Sequence, residues 1–93
     1  MISLEDCLGL CGLTKDEVDA LAEHEHIPAI AAAALGQHLL NQPGGCKTIG
    51  DMIAEDIRWA IGRGDGSHAQ ELTLTLQHFV VSHPEAGTLP QVH

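Results

Sequence analysis

The chain has 93 residues, the length of a single domain, and carries 4 Lys and Arg residues against 13 Asp and Glu, a formal net charge of −9. A nucleic-acid surface or an anionic-membrane surface needs clustered positive charge, so this composition argues against both partners. The longest apolar run is far shorter than the ~20 residues that span a bilayer. The first residues lack the basic and apolar regions of a signal peptide, and we expect a soluble, cytoplasmic protein.

Apolar residues recur at helical spacing along most of the chain. This pattern predicts an all-α fold, a compact bundle of four to five short helices formed by residues 1–83. The predicted helices cover, approximately, residues 3–11, 14–27, 28–41, 48–63 and 67–83. Residues 84–93 contain two prolines and a glycine, and we expect them to form a flexible C-terminal tail.

Two capping boxes indicate helix starts. In one, Thr14 is followed three residues later by Glu17, and in the other Ser67 is followed by Gln70. Residues 72–76 alternate Leu and Thr as a strand does, but no other segment of the sequence has a strand pattern. A lone strand leaves its backbone groups without partners, so we interpret this segment as part of the last helix.

The stretch over residues 22–40, AEHEHIPAIAAAALGQHLL, joins the densest cluster of ionisable side chains to the most apolar run. Pro28 suits the first position of a helix. A helix that is apolar on every side is typically buried on every side, so we expect this one to be central. The small residues Ala32 and Gly36 would let a helix of a second copy approach closely, which predicts a homodimer.

Glu23 and His26 lie three residues apart, so on a helix they share a face and can bind one metal ion. This spacing resembles the Glu-x-x-His motif of ferritin-like di-iron bundles. The resemblance implies a metal site of Glu23, Glu25 and His26, completed by a two-fold homodimer and taking iron, manganese or zinc. Further ligands would come from Glu5, Glu25, Glu55 or Glu71. The alternative is a solvated helix end, whose dipole favours nearby histidines.

The three cysteines and two other side chains carry weaker expectations. Cys7 and Cys11 share one face of the first predicted helix, where we expect buried thiols, with a thiol redox sensor as the alternative. Cys46 is expected in a turn and exposed. His38 is expected at the edge of the core, bonded to a backbone carbonyl, and Trp59 is also expected at the core edge.

The chain resembles small acidic, all-helical bacterial proteins of uncharacterised function in its AEHEHIP segment, its PGG turn and its HFVVSHPE end. That resemblance implies a helical fold and no particular activity. The sequence contains no glycine-rich phosphate loop, no nucleophile elbow and no Cys-x-x-Cys pair. It therefore predicts a non-catalytic interaction or regulatory module that acts as a homo-oligomer, alone or with a protein partner.

Overall fold

The computed structural model describes residues 12–84, which form a bundle of four α-helices. They are α1 (Lys15–Glu25), α2 (Ala29–Leu40), α3 (Gly45–Gly62) and α4 (Gly66–Ser82). The predicted all-α fold is confirmed, and residues 72–76 are helical. The predicted helix over residues 3–11, with Cys7 and Cys11, and the tail from residue 85 onward lie outside the described residues. Between residues 12 and 84, no helix is both long and apolar enough to cross a bilayer.

The two ends of α1 follow from local sequence. The Thr14 hydroxyl accepts a hydrogen bond from the backbone of Glu17, and the Glu17 carboxylate accepts one from the backbone of Thr14, so the predicted capping box is confirmed. At the other end, His26 takes a left-handed conformation with φ 56°. Pro28 then caps α2 in extended conformation, one residue before the helix. The pair His26 and Pro28 thus turns the chain from α1 into α2.

Two predicted helix starts are displaced. The N-cap of α4 is Asp65, whose carboxylate accepts a hydrogen bond from the backbone of His68 at 3.1 Å. The capping box predicted at Ser67 is therefore wrong, because Ser67 is already helical. Similarly, α3 begins at Gly45, three residues earlier than predicted.

The early start of α3 buries the cysteine that was expected in a turn. A Cβ atom on Gly45 would overlap the carbonyl oxygen of Leu39, so only glycine allows α3 to start this close to the end of α2. Cys46 in the first turn is then 6% exposed and packs in the core. The prediction that Cys46 is exposed is wrong.

All four helices contribute to one apolar core. α1 and α3 each pack against every other helix, and α2 packs mainly on α1 and α3. The largest fully buried apolar side chains are Leu21 from α1, Ile49 and Ile53 from α3, and Phe79 from α4. This packing brings the C-terminal end of α1 beside α3 and α4, where the charged cluster lies.

The apolar helix α2 buries one face only. Ala32 and Ala33 are fully buried, whereas Ile30 is 50% exposed and His38 is exposed. The expectations of burial on all sides and of a core-edge His38 are therefore wrong for the single chain. When both sides of a helix are apolar, the fit of its neighbours decides which side is buried, and here the side with the smaller residues fits.

The close fit of α2 against α1 centres on Gly36. A Cβ atom there would collide with the side chain of Leu13 and lie 3.3 Å from that of Leu21. Ala32 and Gly36 thus serve packing within the chain, and neither is accessible to a second copy. The predicted dimer contact through these two residues is wrong, because α1 occupies that face.

Candidate functional site

Two consecutive residues at the C-terminal end of α1 form side-chain hydrogen bonds with two neighbouring helices. Glu23 contacts His68 on α4, and His24 contacts Asp56 on α3. The residues of each pair are 45 and 32 positions apart in the sequence, respectively. The charged cluster predicted from the sequence is therefore the meeting point of three helices.

His24 and Asp56 form the more buried pair, with side chains 17% and 13% exposed. Nδ1 of His24 lies 3.0 Å from Oδ1 of Asp56, and because an ionised carboxylate can only accept, the ring donates from Nδ1. The second carboxylate oxygen, Oδ2, is buried without a hydrogen-bond partner. Among residues 12–84, His24 is thus the one hydrogen-bond partner of the Asp56 carboxylate, and its loss would leave a largely buried carboxylate unpaired.

His68 and Glu23 form the more exposed pair. Nε2 of His68 lies 2.7 and 2.8 Å from the two carboxylate oxygens of Glu23, and Nδ1 lies 3.7 Å from Glu71. The hydrogen bond to Glu23 raises the pKa of His68 above its ordinary value, and the charges of Glu23, Asp65 and Glu71 add to the effect against the opposing effect of burial. The imidazole therefore holds its proton more firmly in the folded chain than in the unfolded one.

A groove of ≈ 410 Å³ runs between α1 and α4 beside this second pair. We call it the acidic groove. Its lining includes Asp16, Asp19, Glu23, Glu71, Leu72 and Leu74. Of its four carboxylates, Asp19 is paired with Lys15 and Glu23 with His68, and the groove is also lined by His68, His78 and the exposed Leu74. Such a groove suits a partner that combines an apolar group with positive charge.

A second concave surface lies along the last turns of α3 and has a volume of ≈ 390 Å³. It is lined by Glu55, Arg58, Trp59, Gly62 and Arg63, and we call Arg58, Trp59 and Arg63 the tryptophan patch. Trp59 is 67% exposed, so its expected place at the core edge is wrong. Tryptophan and arginine are the residue types most enriched at the energetic centres of protein interfaces.

The predicted metal ligands do not converge around His26. Glu23 is engaged by His68, while Glu25 and His26 are exposed at the end of α1. From residue 12 to residue 84, no group of three or more His, Cys, Asp or Glu side chains is placed to hold a metal ion. Glu5 lies outside the described residues, and metal binding at Glu23, Glu25 and His26 stays a prediction.

The sequence alone identified neither Asp56 nor His68 as a site residue. No local signal could have paired them with α1, because a pair that distant in sequence forms only through the packing of helices. Searches with the full chain found no matching family model, curated protein or solved structure. The interpretation of these sites therefore depends on their own geometry.

Proposed function

We propose that this chain is a non-catalytic interaction module that works by self-association. The observation that supports it is the exposure of Trp59 between two arginines. The sequence has one Trp, one Phe and no Tyr, so one of its two large aromatic side chains is left on the surface while Phe79 is fully buried. A small domain buries only a limited apolar surface in its own core. Covering Trp59 in an interface would increase the apolar surface that is buried.

The exposed apolar surface extends beyond Trp59. Large apolar side chains that are at least half exposed also occur on α2, α3 and α4 within residues 12–84: Ile30, Ile61, Leu74 and Val81. Association with a second copy would remove part of this apolar surface from water, which favours the associated state.

The charged cluster at the end of α1 fits a structural role beside this proposed function. His24 of α1 contacts Asp56 of α3, and Glu23 of α1 contacts His68 of α4. Because these imidazoles and carboxylates are occupied with one another, they serve the arrangement of the helices.

Light scattering of the full chain tests the proposal. The monomer has a mass of 9.9 kDa, and we expect the measured mass to rise towards twice that value as concentration increases into the high micromolar range. The apparent mass should fall again on dilution, as a reversible equilibrium requires. A constant monomer mass over the whole range would contradict self-association.

A further inference from the structure

We infer that the tryptophan patch of one copy docks into the acidic groove of a second copy. The inference depends on the proposed self-association and specifies the two surfaces that meet. One surface is aromatic and basic, and the other is apolar and acidic.

The patch is the part of the described chain where positive charge is available to a partner. Of the four basic residues, Lys15 and Lys47 are each paired with the Asp four positions on, at 2.8 and 2.9 Å. Among residues 12–84, Arg58 makes no ion pair within 4 Å, and Arg63 has only a long one of 3.9 Å to Asp65. A partner that uses these arginines must present carboxylates, and this chain with its net charge of −9 supplies them.

The acidic groove complements the patch in both polarity and size. Its apolar wall, including Leu74, suits the indole ring of Trp59, whose N–H needs an acceptor. The carboxylates of Asp16 and Glu71 at the same groove can accept paired hydrogen bonds from guanidinium groups. A volume of ≈ 410 Å³ lies within the usual range for sites that enclose a compact organic group.

Because the contact joins two different surfaces, copies can assemble through it in two ways. A closed two-fold dimer would form the contact twice, whereas an open arrangement would add copies head to tail. In either case a copy with a damaged patch still offers an intact groove, and a copy with a damaged groove still offers an intact patch. Mixing two such variants therefore tests the pairing directly.

The experiment uses full-length Trp59→Ala and Glu71→Lys variants. Each alone should self-associate about 30-fold more weakly than the natural chain, because the first loses the aromatic anchor and the second places a cation opposite the arginines. An equimolar mixture should recover association between the two variants, detected as a 1:1 complex by native mass spectrometry. Circular dichroism confirms that both remain helical.

Two matched variants serve as controls. Ile61→Ala alters a side chain of α3 that is 63% exposed but lies outside the patch. Asp51→Lys makes the same charge change as Glu71→Lys at a similarly exposed position, 67% against 73%, outside the groove. Both should leave the association constant within about twofold of that of the natural chain.

The outcomes separate this inference from the proposed function. A monomeric natural chain at high micromolar concentration would overturn both. Association that persists unchanged in Trp59→Ala and Glu71→Lys would leave self-association standing and overturn the docking of the patch into the groove. A mixture of the two variants that stays monomeric would also overturn the docking.

Discussion

Residues 22–40 have a polar half and an apolar half, and the contacts of neither half are those that its composition predicts. The polar half, at the end of α1, reaches two other helices through Glu23 and His24. The apolar half, α2, buries its small residues and leaves Ile30 half exposed. A charged segment thus carries long-range links, while much of an apolar segment faces solvent.

The difference shows that contact depends on fit as much as on polarity. A carboxylate can be largely buried where another side chain donates a hydrogen bond to it, as His24 does to Asp56. An apolar helix is buried only where a neighbour can approach, as α1 approaches Gly36. Substitutions at the end of α1 and in α2 should therefore change the free energy of unfolding in ways that side-chain polarity alone does not predict.

The largest effect is expected in the polar half, from His24→Ala. The substitution leaves the carboxylate of Asp56 largely buried with neither oxygen bonded, which should lower the free energy of unfolding by about 2–3 kcal/mol. The matched control is His38→Ala on α2, which removes an exposed imidazole. It should change the free energy of unfolding by less than about 0.5 kcal/mol. Urea unfolding gives both values. Equal effects from the two substitutions would show that the contact with Asp56 contributes nothing.

In the apolar half, a glycine comparison tests whether α2 is held by close approach. Gly36→Ala should lower the free energy of unfolding by about 1–2 kcal/mol, because the collision with Leu13 outweighs the better helix propensity of alanine.

The control for Gly36→Ala is the same change in the middle of α3. At Gly50 the nearest atom to an added Cβ is on Leu76 at 3.9 Å, an ordinary contact, so Gly50→Ala should raise the free energy of unfolding by about 0.5–1 kcal/mol. Thermal unfolding of the two variants should therefore shift in opposite directions. A stabilised Gly36→Ala variant would mean that α1 and α2 do not pack tightly.

Much of the fold could be predicted from the sequence, because helix periodicity and the capping box at Thr14 are local signals. The spacing of four residues between Ile49 and Ile53 places both on one face of α3, and both are fully buried. For α2 the pattern was uninformative, since apolar residues on both sides leave the choice to tertiary packing.

The candidate site was predictable only in part. The sequence singled out the charged cluster around Glu23 as a candidate site, but His68 and Asp56 are brought there by helix packing. The exposure of Trp59 was likewise not predictable, because its neighbours in sequence fit a core-edge position equally well. Contacts between distant residues depend on the geometry of the whole bundle, which no local pattern encodes.

The smallest effect is expected from the more exposed pair, and it depends on pH. The pKa of His68 lies above its ordinary value of 6.5, chiefly because of the hydrogen bond to Glu23. A raised folded-state pKa contributes stability that is fully present below the unfolded-state pKa and is lost as pH rises through the folded-state value. Glu23→Gln should therefore lower the free energy of unfolding in mildly acidic solution and have little effect in alkaline solution.

The size of that effect is limited by solvent. The Glu23 side chain is 42% exposed, so water screens the pair and the difference should stay below about 1 kcal/mol. NMR titration should show the pKa of His68 falling towards its ordinary value in Glu23→Gln. Glu25→Gln, a neighbouring exposed carboxylate that does not contact His68, should leave that pKa unchanged. If both substitutions shifted the pKa of His68 equally, the general negative charge of the surface, and not the link between α1 and α4, would be its cause.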